Sequence, residues 1–195
     1  MATWLNLISQ LFAKNEVSTS IYEVTQVVPM WLGIVIIGCL PGFIEELLYR
    51  GIIYSAFRKR SVLTGIVVSA LTFGLMHMNF NQAAYAIFLG IVMAVLVEAT
   101  GSLWSSVVYH GLINSSQVVI MYLTLKIDPD TYSEAAQLVT TNMLVYSVAV
   151  YLVIAALTLP VAWALLVWMG EREGRSGVLA SVWRDRKRSG VLNEN

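Results

Sequence analysis

Leaving tyrosine and cysteine aside, six side chains able to carry charge lie inside the long apolar stretches of this sequence: Glu45, Glu46, Arg50, His77, Glu98 and His110. The chain has only two histidines, and both are in this set. A charge at the bilayer centre costs roughly 2.5–3.5 kcal/mol on insertion scales, so intramembrane ionisable groups are functional candidates. Glu98 stands at the end of its stretch, where it is expected to reach the membrane interface, which leaves five. Glu46 precedes Arg50 by four positions, the favourable order for a helical ion pair. That pair neutralises itself and leaves Glu45 as the uncompensated carboxylate, a candidate general base. Phe73 and His77 share a helix face at i, i+4, as do His110 and Asn114. Pro41 lies one turn before Glu45, has no N–H for the carbonyl of Ile37, and is expected to kink the helix. In a membrane such a break is tolerated only where protein or water satisfies the freed group, and a wet cavity beside Glu45 would do so.

Elimination narrows the chemistry. A zincin helix would carry His-Glu-x-x-His, which this chain lacks. An intramembrane aspartyl enzyme needs two buried aspartates, yet Asp128, Asp130 and Asp185 all lie outside the apolar stretches. A serine mechanism needs a Ser beside a base. Ser105 and Ser106 are near His110, but no local acid orients that histidine. The single Cys39 excludes an internal disulfide framework and any zinc site built from several thiolates. Glutamate with histidine remains.

The elements that must position these groups are membrane helices. Of 195 residues 57% are hydrophobic and 12% charged, half the charged share of a typical soluble domain, and the mean hydropathy is +0.71. The expected fold is all-α: a polytopic transmembrane helix bundle of about five spanning helices, the first kinked and bearing a motif. The stretches run from Val27 to about Phe57, Val62 to Met78, Ala83 to Glu98, Leu103 to Leu125 and Asn142 to Met169. Asn79-Phe80-Asn81 and Thr100-Gly101-Ser102 between them are turn chemistry. Residues 1–26 are expected to form an interfacial or remnant segment, with Trp4, Leu5, Ile8, Leu11 and Phe12 on one helical face. Residues 27–169 form the membrane-embedded bundle and 170–195 a basic tail.

Arg58-Lys59-Arg60 and the basic residues from Arg172 to Arg188 are separated by four spans, so both clusters fall on one face, which the positive-inside rule makes cytoplasmic. The loop with Asp128, Asp130 and Glu134 then faces outside, and the chain is a multi-pass protein of the cell membrane. Zero formal net charge argues against nucleic acid as a partner. With Arg58 as the membrane edge, the helical rise puts Glu45 about 20 Å deep, His77 about 22 Å and His110 only about 10 Å. These depths must converge for one site to exist.

Three motifs carry a family resemblance. Glu45-Glu46-Leu47-Leu48-Tyr49-Arg50 reads EExxxR, Phe73 to His77 reads FxxxH, and His110 to Asn114 reads HxxxN. In this order, each inside an apolar segment, they resemble the CAAX protease and bacteriocin-processing (CPBP) family of intramembrane proteases, related to the type II CAAX prenyl endopeptidases. The resemblance covers about Pro41 to Gln117. It implies an intramembrane endopeptidase in which Glu45 activates a water, His77 helps to hold it, and His110 and Asn114 donate to the oxyanion. Glu46 and Arg50 would brace the site. No cofactor is expected as first choice; the alternative is zinc held by Glu45, His77 and His110 with an open fourth position. The partner would be a peptide or small-protein substrate arriving from the lipid bilayer. Two other readings stay open: a bacteriocin self-immunity or peptide-binding protein that does not cleave, and a transporter component using the same groups as a proton relay.

Overall fold

The computed structural model describes residues 16–127, 141–175 and 177. Its elements are α1 (Glu16–Val27), α2 (Met30–Arg58), α3 (Val62–Leu75), α4 (Phe80–Thr100), α5 (Leu103–Ile127) and α6 (Thr141–Arg172), with no strand among the described residues. Helices α2 to α6 occupy the five expected stretches. Among the described residues, α2 and the Gln82–Thr100 part of α4 are long and apolar enough to cross a membrane, and α3 is a shorter apolar helix. The interfacial face expected on Trp4 to Phe12, the acidic loop at Asp128 to Glu134 and the tail arginines beyond residue 177 lie outside the described residues.

The side-chain distribution is that of a membrane bundle. Trp31, Val35, Leu40, Ile44 and Ile52 of α2 and Leu157, Val161, Trp163 and Trp168 of α6 point outward, while Glu46, Arg50, Ser69, Glu98, Ser106 and His110 are buried. A water-soluble surface rarely carries contiguous apolar patches of that extent. Lipid is the solvent that fits it.

The caps follow from local chemistry. Ser61 opens α3 by accepting from the Thr64 N–H, and Asn79 opens α4 by accepting from the Gln82 N–H at 3.1 Å. Gly101, at φ 70°, closes α4 in the left-handed conformation that glycine adopts without strain. Met78 adopts φ 48°, the one non-glycine residue with positive φ among those described. It lies directly after His77, where the chain reverses from α3 into α4.

Pro41 does not produce a simple kink. The turns before it, Ile34–Cys39, are wide i→i+5 turns, with the Leu40 N–H reaching back to the Val35 carbonyl. A second wide run, Leu47–Tyr54, follows the paired glutamates. The extra residue per turn absorbs the missing proline donor and rotates the helix on both sides of Glu45 and Glu46; such π-type turns are frequent at functional sites.

Helix α5 packs antiparallel on α2 at backbone contact. A Cβ added to Gly42 would lie 2.8 Å from the Gly111 nitrogen, and one added to Gly38 would lie 3.1 Å from the Ser115 Cβ. Gly38 and Gly42 on α2, and Gly111 and Ser115 on α5, are two pairs of small residues at i, i+4, the spacing that lets membrane helices touch. The first residue of α5, Leu103, sits against Gly51, seven positions before Arg58. Helix α2 thus overshoots the start of α5 by about 10 Å at the helical rise per residue. That offset removes the depth mismatch between Glu45 and His110.

Glu98 corrects the expectation that it simply reaches the interface. It is buried, takes both prongs of Arg58 at 2.6 and 2.7 Å, accepts from the Tyr54 hydroxyl, and lies 3.5 Å from Arg175. Arg175 also donates to the Glu98 backbone carbonyl at 3.0 Å. The ends of α2, α4 and α6 therefore meet on one carboxylate. The expectation that the two basic clusters share a face holds for Arg58 and Arg175.

The crossing makes a paired prediction. Gly42→Ala forces α2 and α5 apart and is expected to destabilise the protein by about 1–3 kcal/mol, the usual cost of overpacking. Gly51→Ala, whose Cβ would make only ordinary contacts at 3.7 Å, is expected to leave stability unchanged or slightly raised. Denaturant unfolding of both variants in detergent micelles compares them.

Candidate active site

The α2–α5 crossing sets Glu45 and Glu46 opposite His110. Adjacent residues on a helix point about 100° apart, and the two glutamates divide accordingly. Glu46 turns inward with no exposed surface, and Glu45 faces a cavity with its side chain about one-third exposed.

Glu46 Oε1 lies 2.5 Å from Arg50 Nη1 and 3.0 Å from His110 Nδ1. Arg50 Nη2 donates to the Gly90 carbonyl of α4 at 3.1 Å, and the guanidinium lies over the Phe73 ring at 4.7 Å. One buried carboxylate and its partner therefore join α2, α3, α4 and α5. Glu46 Oε2 and Arg50 Nε are buried without hydrogen-bond partners, so the pair is held through one oxygen rather than as a two-pronged fork. The acid that orients His110, missing from its local sequence, comes from α2.

These contacts fix the histidine tautomers. A carboxylate paired with arginine only accepts, so His110 Nδ1 carries the proton it donates to Glu46. His110 Nε2 then faces Glu45 Oε2 at 3.8 Å. That separation is too long for a direct hydrogen bond and suits one bridging water. His77 Nδ1 lies 2.7 Å from the Phe73 carbonyl, which also only accepts, leaving His77 Nε2 with its lone pair.

Phe73 is the packing hub of the site. Its ring meets Tyr49, His77 and His110 edge-on at centroid distances of 5.0, 4.9 and 5.5 Å. Edge-to-face geometry is the preferred arrangement for such rings. It fixes both imidazoles from one side while the Phe73 carbonyl fixes His77 from another.

The cavity has a volume of about 430 Å³ and is lined from α1 to α5, with Glu45, His77, His110 and Asn114 all on its wall. Of the residues singled out from sequence, Glu45, Glu46, Arg50 and His110 form one contact network. His77 and Asn114 share the cavity with them. The small-residue pairs Gly38/Gly42 and Gly111/Ser115 were not among the residues singled out, although their i, i+4 spacing was legible. Nor was Gly90, which no local signal marks.

The expected alternative zinc ligands, Glu45, His77 and His110, all line the cavity, with the Nδ1 atoms of both histidines engaged by the Phe73 carbonyl and Glu46 and their Nε2 atoms free of those contacts. Among the described residues no three His, Cys, Asp or Glu side chains stand close enough together to form a ready-made metal site. No step below is routed through a metal.

Arg50→Met leaves the Glu46 carboxylate buried without its counter-charge. It is expected to destabilise the protein by about 3–5 kcal/mol, the cost of breaking a buried pair from one side. Glu45→Gln, on the cavity wall and outside that pair, is expected to unfold close to wild type in the same detergent titration.

Comparison with known proteins bears on this region. A protein of Bacillus subtilis (strain 168) named "Putative membrane peptidase YdiL" is 28% identical over 112 residues, covering 56% of this chain and 44% of that protein. The match thus spans less than half of that relative's length. No solved structure matches this chain. Residues 27–116 match the family model described as "Type II CAAX prenyl endopeptidase Rce1-like". That stretch contains all three motifs and the α2–α5 crossing. Over the helices around Glu45, His77 and His110, this chain is similar to the Rce1-like family.

Proposed function

We propose that this chain is an intramembrane endopeptidase that hydrolyses a peptide bond with a water activated by Glu45. The observation that carries this reading is the division of labour between adjacent glutamates. Glu46 is sealed by Arg50 and holds His110 from behind, while Glu45 faces the cavity 3.8 Å from His110 Nε2. The match to a family named for its endopeptidases gives it independent support.

The reaction runs by general base and oxyanion chemistry. A water between Glu45 and His110 gives a proton to the Glu45 carboxylate and adds to the carbonyl carbon of the scissile bond. The carbonyl oxygen becomes an oxyanion and takes hydrogen bonds from the Asn114 amide and, when its ring carries both protons, from His110 Nε2. Collapse expels the amine, which takes the proton back from Glu45. His77, fixed through its Nδ1, offers its other nitrogen as an acceptor that helps to hold the water. The reaction needs no cofactor. The substrate is a peptide or small protein reaching the cavity from the bilayer, and the chain sits in the cell membrane with its basic tail in the cytoplasm.

Two measurements test this. Glu45→Gln is expected to lower peptide cleavage by purified protein by at least about 10²-fold, the scale of a lost general base, while peptide binding persists. Unchanged turnover in that variant contradicts the glutamate mechanism, and binding without turnover in the unaltered protein favours a sequestering role instead. Activity is also expected to survive dialysis against a strong chelator; loss on chelation with recovery on zinc would contradict the metal-free reaction.

A further inference from the structure

The cavity carries a second set of polar groups that the hydrolysis scheme does not use. The carboxamides of Gln82 on α4 and Gln117 on α5 line it, and neither side chain hydrogen-bonds to another described residue. Gln117 is three positions after Asn114, on the same face of α5 as the proposed oxyanion donor. Each carboxamide offers two donors and an acceptor, the complement of a peptide group, and each is only partly buried.

Charge is distributed differently. Among the described residues lining the cavity, Glu45 is the one carboxylate and there is no lysine or arginine. The nearby cation, Arg50, is 1% exposed and committed to Glu46, the Gly90 carbonyl and the Phe73 ring. An anionic substrate group in this cavity would meet Glu45 with no counter-charge. A cationic one would pair with Glu45 and occupy the base. Both are selected against by the same carboxylate.

We infer that the cavity takes an uncharged stretch of peptide, its backbone held by the carboxamides of Gln82 and Gln117, and does not read a free C-terminal carboxylate near the scissile bond. This rests on the endopeptidase reading and adds to it a substrate class, internal uncharged segments, and two specificity residues.

The test uses the full chain in detergent micelles and a fluorescence-quenched hexapeptide library randomised over uncharged residues. One form is blocked as acetyl and amide; the other ends in a free acid. The blocked form is expected to show a kcat/KM at least 10-fold above the acid form. Gln82→Leu and Gln117→Leu are expected to raise KM by 5-fold or more with kcat little changed. Gln82→Arg supplies the missing cation and is expected to shift preference toward the acid form by 5-fold or more, a gain that misfolding cannot mimic. Preference for the free acid, or an unchanged KM in both Leu variants, overturns the inference while leaving catalysis intact. Binding of the two forms to the unaltered protein in the cold, read by fluorescence anisotropy alongside cleavage, separates the two claims. Preferential binding of blocked peptide without cleavage by the unaltered protein removes the endopeptidase reading and keeps this one. Absence of both binding and cleavage overturns both.

Discussion

A carboxylate buried in apolar surroundings needs partners, and Glu46 finds two through one oxygen. Arg50 supplies the counter-charge from the next turn of the same helix, and His110 supplies an N–H from α5. The second contact forms only because α2 and α5 approach at backbone distance, which Gly38, Gly42, Gly111 and Ser115 allow. Membrane helices gain little from hydrophobic association, since lipid is as apolar as leucine, so close packing and polar contacts decide how they dock. The small-residue crossing supplies the first and the Glu46 network the second. The remaining geometry follows from them: Glu45, one residue away and about 100° round the helix, is left at the cavity wall.

The three motifs contribute differently to this arrangement. EExxxR supplies one glutamate to the cavity and one to the scaffold, with Arg50 binding the latter. FxxxH supplies a ring that touches both imidazoles and a carbonyl that fixes the tautomer of His77. HxxxN places His110 and Asn114 one turn apart on the cavity wall. The wide turns on either side of the glutamates, Ile34–Cys39 and Leu47–Tyr54, set the direction in which those side chains leave α2.

Much of this was legible in the sequence because the bilayer is a strict solvent. It confines charge to sites with a purpose and helices to recognisable apolar runs, so the five long helices and the set of candidate residues could be read from residue type alone. The Glu46–Arg50 pair followed from helical spacing. What lay beyond reach was relative placement. Depth counted from Arg58 set Glu45 and His110 about 10 Å apart at the helical rise, because nothing local tells that α5 begins level with Gly51. The acid orienting His110 lies 64 residues away, and a pairing of that range leaves no periodic trace. Glu98 misled for a related reason. Its place near a span end suggested contact with water, whereas Tyr54 and Arg58 of α2 and Arg175, just past α6, converge on it.

The Glu46–His110 hydrogen bond is the joint on which the site turns, and the chain's two histidines make it directly observable. The ring nitrogens of a ¹⁵N-histidine-labelled sample, assigned with a His77→Asn variant, report which nitrogen of His110 carries the proton. The account predicts an Nδ1-protonated His110 whose signals move in Glu46→Gln while those of His77 stay in place. An Nε2-protonated neutral ring at His110, or signals indifferent to Glu46, would contradict it.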